Sequence, residues 1–149
     1  MSRINASVDI SRRPEDVFAY VTDPSHLPEW QESAVAVRRT AGTPGTIGQQ
    51  VAVTRRMGRR DFDMTMELTQ IDPPRSWHVH GVDGPVRGDV QGTIEPLDGG
   101  RRSRLTLSVG FEGHGIGKAL VPLVVTPRAR KEMARDEQKL KGILEGATG

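Results

Sequence analysis

Few residues in this 149-residue chain could do chemistry: there are four histidines, no cysteine, and acids and arginines scattered along its length. His78 and His80 stand two apart, so on a strand both rings project from one face, and a third converging donor would complete a metal site. No cysteine and no His-Glu-x-x-His helix supplies that donor. Trp77 and Val79 are the better inward residues, which sends both histidines to solvent. The opposite orientation would offer an inward histidine as a proton shuttle. Arg87 and Asp89 are also two apart on one strand face, where the spacing allows them to pair on the surface. Turned inward, they would make a general acid/base and anion-holding couple. Asp61, Asp63 and Glu67 fall on the polar side of their strand.

Gly113-His114-Gly115-Ile116-Gly117-Lys118-Ala119 has the look of a phosphate loop, but its glycine spacing is one residue short and Ala119 replaces the magnesium-binding hydroxyl. It reads as a flexible entry to a helix. Arg55, Arg56, Arg59 and Arg60 flank Met57-Gly58 as a solvated hairpin tip, where charge discourages edge association. A second reading of that tip is attraction of anionic substrates or headgroups. There is no Gly-x-Ser-x-Gly elbow and no dinucleotide fingerprint. Neither a metal nor a cofactor is expected.

Composition narrows the classes further. The formal net charge is only +2, and no single element carries a concentrated basic stripe, so nucleic acid is a poor partner. No apolar run approaches the roughly 20 residues that span a bilayer, so stable membrane insertion is not expected. The N-terminus lacks a signal-peptide core, and a cytoplasmic location is expected.

These residues must be positioned by elements that the spacing predicts. Ile4, Ala6, Val8 and Ile10 alternate as a first strand. Pro14 starts a short helix, with Glu15 and Asp16 at its positive end, and Asp23-Pro24 closes it. A second short helix leads to Trp30. Val35 and Val37 mark strand two, and Ile47 to Met57 strand three. Phe62, Met64, Met66 and Leu68 alternate on strand four, and Trp77 and Val79 on strand five. Val86, Gly88, Val90, Gly92 and Ile94 share a face of strand six, Asp98-Gly99-Gly100 is a hairpin turn, and Leu105 to Phe111 is strand seven. A helix to about Glu145 follows, with Leu120, Leu123, Val124, Leu140, Ile143 and Leu144 as its apolar face, and with Pro122 and Pro127 implying a late start or a kink. Consecutive strands with helices segregated to the ends indicate an α+β architecture.

The opening Val8-Asp9-Ile10 through Asp23-Pro24, the segment Ser25-His26-Leu27-Pro28-Glu29-Trp30, Gly45-Thr46-Ile47-Gly48, and Ile71-Asp72-Pro73-Pro74 occur in an order that resembles the START-like superfamily. That superfamily includes the polyketide cyclase/dehydrase and Bet v 1-like helix-grip proteins. The resemblance covers the whole chain as one domain, 1–149. It implies a seven-stranded curved antiparallel sheet, two short helices after strand one, and a long C-terminal helix over the concave face. It also implies an internal cavity. Gly88 and Gly92 would remove bulk there, and Met64 and Met66 would form adaptable walls, although strand glycines also serve simply to bend a sheet. The expected lining is Phe18, Trp30, Val53, Phe62, Met64, Met66, Trp77, Gly88, Val90, Leu107, Val109, Leu120 and Val124. Trp30, with Phe18 and Tyr20, either lines the entrance or packs the short helices against the long one.

Three functions are compatible with these expectations. The first is binding of a small hydrophobic or aromatic molecule between sheet and helix. The second is polyketide cyclase/aromatase chemistry, aldol closure and dehydration, which needs orientation and proton transfer more than a fixed motif. The third is a protein-interaction module. A cavity above roughly 300 Å³ separates the first two from the third, and buried polar lining separates cyclase from carrier.

Overall fold

The computed structural model describes residues 3–146; residues 1–2 and 147–149 of the expected domain lie outside them. Strand β1 (Arg3–Ile10) enters helix α1 (Pro14–Val21), whose Val17, Phe18 and Val21 are buried. The Asp23 carboxylate accepts from the Ser25 N–H (3.0 Å) and hydroxyl (2.7 Å) and so starts a 3₁₀ turn, Pro24–His26, that runs into α2 (Leu27–Trp30). Six strands follow: β2 (Ala34–Ala41), β3 (Gln50–Met57), β4 (Arg60–Asp72), β5 (Ser76–Asp83), β6 (Val86–Leu97) and β7 (Arg102–Gly113).

All pairings are antiparallel, in the order β1-β7-β6-β5-β4-β3-β2. The sheet is curved and the chain has the helix-grip fold. Alternation along antiparallel strands puts the β3–β4 tip, the β5–β6 tip and the end of β7 at one edge of the molecule, here the upper end. The β4–β5 and β6–β7 turns lie at the lower end.

The C-terminal helix is continuous in direction but not in type. It comprises α3 (Gly117–Leu120), a π-helical turn (Val121–Val125) containing Pro122, and α4 (Thr126–Gly146). Proline lacks the N–H that an α-helix interior needs, and a π turn is a common accommodation of that break. The expected apolar face is corrected here: Leu140 and Leu144 are buried, whereas Leu123 and Val124 face outward. Strand β3 also starts later than expected, because Ile47 lies in the preceding turn and is exposed.

Polar contacts clamp the lower end of α4. The Lys141 ammonium donates to the Asp9 carbonyl (2.6 Å), the Ser11 N–H donates to Glu145 (2.8 Å), and Arg12 donates to the Leu144 carbonyl (2.9 Å). Arg12 thereby satisfies one of the carbonyls that a helix C-terminus leaves open. The fully buried Ser103 hydroxyl donates in turn to the Arg12 carbonyl (2.7 Å). Ser103→Ala strands that carbonyl and will cost about 1–2 kcal/mol in urea denaturation. Ser7→Ala, which breaks an exposed hydroxyl pair with Thr106, will stay within about 0.5 kcal/mol of the parent.

Candidate functional site

The interior holds two clusters rather than one continuous core. The lower one joins Ile10, Val17, Phe18, Leu68, Trp77, Leu105, Leu140 and Leu144; the upper one joins Val51, Val53, Met64, Met66, Val86 and Val125. A cavity of about 190 Å³ is lined by side chains of both. Of the expected residues, Trp30, Val53, Met64, Met66, Trp77, Gly88, Val90, Leu107 and Val109 line it.

Four expected residues do not. Phe18 packs edge-on against Trp77, with ring centroids 5.9 Å apart, inside the lower cluster. Phe62 and Leu120 pack on the flank of the upper cluster, and Val124 is turned out by the π turn. Tyr20 stands aside as well, stacked on His26 and donating to Glu29 (2.6 Å). Trp30 takes the packing role considered for it, buried beneath α4, and it also forms part of the cavity wall, with its indole N–H unpartnered.

The two glycines of β6 differ. Gly88 lines the cavity, and an added methyl group there would meet the flexible ends of Met64 (3.4 Å) and Met66 (3.5 Å) and the Phe111 ring (3.8 Å) at ordinary contact distance. Gly92 is covered by the indole of Trp77, its cross-strand partner. Only Gly88 contributes volume to the cavity.

One wall is polar. Arg55 lies on the inward face of β3, continuing the alternation Val51, Val53, and so belongs to the cavity rather than to the solvated tip. Its Nη1 donates to Gln31 (2.7 Å) and Ser33 (3.0 Å). Its Nε and Nη2 make no hydrogen bond among the described residues. Desolvation lowers the Arg55 pKa, against the attraction of Asp136 and Glu132. Those carboxylates come from α4, where Ala129, Glu132, Met133 and Asp136 share the cavity-facing stripe. Burial pushes Asp136 up to about 6, helped by the charges of Glu132 and Glu32 and opposed by a Glu32 N–H (3.3 Å) and Arg55. The next residue, Glu137, is buried with Oε2 unpartnered, and desolvation followed by the Asp136 charge raises it to about 7.

Sequence reasoning assigned Arg55 to the tip and overlooked Glu132 and Asp136. The signal was present: period two from Val51 reaches Arg55, and three-residue helical steps lead from Ala129 to Glu132 and from Met133 to Asp136. The rest of the tip behaves as expected: Arg56 pairs with Asp61 (2.8 Å), and Arg59 and Arg60 are exposed.

On the opposite face of the sheet, His78 and His80 point outward as expected. Both contact the same oxygen of Asp89, at 2.7 Å and 2.9 Å, and Arg3 binds the other oxygen at 2.8 Å. The Arg87–Asp89 pair that the spacing allows is therefore replaced; Arg87 donates to the Gly84 carbonyl (3.3 Å). Burial would raise the Asp89 pKa, but hydrogen bonds from His80, His78 and Arg3 outweigh it and hold the carboxyl at about 2. No group of three or more His, Cys, Asp or Glu side chains among the described residues is arranged to hold a metal ion.

Comparison with known proteins agrees with this fold. Protein Rv1546 of Mycobacterium tuberculosis is 30% identical over 149 residues, covering 97% of this chain and 98% of its own. Among solved structures, TTHA0849 of Thermus thermophilus superposes with a TM-score of 0.80 at 15% identity, over 99% of this chain and all of its own. The ZhuI aromatase/cyclase of Streptomyces sp. R1128 superposes with a TM-score of 0.74 at 16% identity, over 99% of this chain and 96% of its own. At such identities these structures share the fold. The family model described as polyketide cyclase/dehydrase and lipid transport matches residues 1–145, and the chain belongs to that family.

Proposed function

We propose that the chain binds a small molecule with an apolar, ring-sized body and a single oxygen-bearing group. The observation that carries this reading is the pairing of an apolar hollow with one hydrogen-bonding wall. Met64, Met66, Trp77 and Gly88 offer adaptable surface to the body. Arg55, held by Gln31 and Ser33, keeps donors for a carbonyl or phenolic oxygen. The volume falls short of the roughly 300 Å³ that would by itself separate binding from an interaction module, so the hydrogen-bonding wall and not the size carries the choice. The volume is comparable to the ~150 Å³ apolar cavities that take one benzene ring. That size favours compact ligands over sterols or long acyl chains.

Thermal-shift and NMR titrations with acetophenone and toluene test this. Acetophenone will bind more tightly, and Arg55→Met will weaken it about tenfold, the loss of one charge-assisted hydrogen bond, while leaving toluene unchanged. Gly88→Leu, which fills the hollow, will abolish both. Equal affinity of the two ligands for both proteins removes the polar-wall reading; no response to either removes the binding reading.

A second reading, cyclase-type chemistry, is supported by Asp136. A carboxyl near 6 is suited to take a proton α to a carbonyl at neutral pH, and Arg55 is placed to stabilise the resulting enolate oxygen. Deuterium exchange into acetylacetone will then be accelerated with a midpoint near pH 6 and lost in Asp136→Asn. Exchange no faster than in buffer leaves the carrier reading alone.

A further inference from the structure

The upper end of the molecule carries a surface that the cavity does not explain. Three of its large apolar side chains lie in solvent: Ile116 is 66% exposed, Leu123 76% and Val124 37%. All three belong to the segment 113–131, which contains no aspartate or glutamate but does contain Lys118, Arg128, Arg130 and Lys131. The π-helical turn is what turns Leu123 and Val124 outward. From there the helical spacing puts Pro127 and Arg130 on the face of Leu123, and Arg128 and Lys131 on the face of Val124. Apolar and basic side chains thus share one outward stripe.

Neighbouring elements extend the same surface. The Arg59–Arg60 hairpin tip lies at this end, and its Met57 packs on the upper cluster together with Leu120 and Val121. The His114 N–H donates to the Pro85 carbonyl (2.9 Å), and Gly117 rests against Pro85, which fixes the start of the helix to the β5–β6 tip. Arg59, Arg60, Lys118, Arg130 and Lys131 have no ion-pair partner among the described residues, and Arg128 reaches Glu132 at 3.5 Å. The acids at this end are Asp61, held by Arg56, Asp63, held by Thr54 (2.6 Å) and Arg38 (3.7 Å), Glu112, held by His114 (2.9 Å), Glu132, held by Arg128, and Asp83.

We propose that this end docks on the surface of an anionic lipid bilayer, with Leu123, Ile116 and Val124 entering the headgroup boundary and the surrounding cations meeting lipid phosphates. Charge chooses the occupant. A second copy of the chain applied through a twofold axis would set this basic stripe against itself, whereas an anionic leaflet complements it. Leu123 and Val124 project from the helix and Ile116 from the turn that enters it, so apolar side chains flanked by cations face one way, the combination that draws a surface to an anionic interface. No helix among the described residues is long and apolar enough to cross a membrane, so the contact is peripheral. This inference stands apart from the cavity reading and requires no ligand.

Vesicle co-sedimentation of the whole protein tests it. The protein will pellet with vesicles of phosphatidylcholine and phosphatidylglycerol, will stay in solution with phosphatidylcholine alone, and will be released by salt. The double change Arg130→Gln and Lys131→Gln will weaken binding about thirtyfold, near fivefold per charge. Leu123→Ser will weaken it about tenfold by removing an inserted side chain. Unchanged thermal melting will show that the variants, all altered at exposed positions, remain folded. Binding that ignores lipid charge, or that survives both variants, overturns the proposal. So does an absence of vesicle binding accompanied by self-association in the ultracentrifuge that Leu123→Ser disrupts, which assigns the face to a second copy.

Discussion

Glu137→Gln will be more stable than the parent at pH 8, and the advantage will vanish near pH 4. Glu137 is 2% exposed, has an unpartnered oxygen, and carries a pKa raised to about 7 from the ordinary 4.5. Between those values the folded chain holds a proton that the unfolded chain has released. Stability from this group is therefore complete below about pH 4.5 and declines as the pH rises through 7. The shift corresponds to about 3 kcal/mol. Glutamine keeps the shape and never ionises, so the difference in unfolding free energy between variant and parent will grow by about that amount from pH 4 to pH 8. Taking the difference cancels Asp89, whose lowered pKa acts in the opposite direction and only in acid. Urea denaturation at four or five pH values measures it, and parallel curves for the two proteins would show that Glu137 is not buried as an acid.

Gly92→Ala will cost about 3 kcal/mol, the upper range for forcing a methyl group into a filled site. On a domain of this size that lowers the melting temperature by roughly 10 °C. The new methyl group would occupy the space of the Trp77 indole, which itself packs against Phe18. Gly88→Ala, four residues along the same strand face, meets two methionine ends and the edge of the Phe111 ring at ordinary contact distance, and its cost will be under about 1 kcal/mol. The pair of variants separates a glycine that seats a ring from one that lines the cavity. Combining Gly92→Ala with Trp77→Ala will be markedly sub-additive, because the two changes act on one contact. Additive costs would place the strain elsewhere.

Much of the architecture was legible because period-two and helical spacings are long and regular here. The alternation of Phe62 to Leu68 and of Val86 to Ile94 settles which face is inward. That in turn places His78 and His80 outside and Met64 and Met66 against the cavity. What escaped was polar. Arg55 was grouped with its arginine neighbours by composition, although alternation along β3 separates it from Arg56. Asp136 and Glu137 sit where α4 passes over the sheet, and a carboxylate on a charged helix reads as solvated until the packing partner is known. The outward turn of Leu123 and Val124 depends on a π turn, which no hydrophobic pattern encodes. The partners of Asp89 come from β1 and β5, brought to β6 by a strand order in which β5 is its neighbour and only β7 separates it from β1.

That widened turn around Pro122 is equivalent to one surplus residue in an otherwise ordinary helix. Removing a single residue between Val121 and Val125 would restore regular winding and rotate everything ahead of it by about 100°. Since Gly117 is wedged against Pro85 and the far end of α4 is tied to Asp9, Ser11 and Arg12, neither end is free to absorb that rotation. Length in this one loop of helix is therefore a constraint of its own, felt by any deletion or insertion there regardless of which side chains are changed.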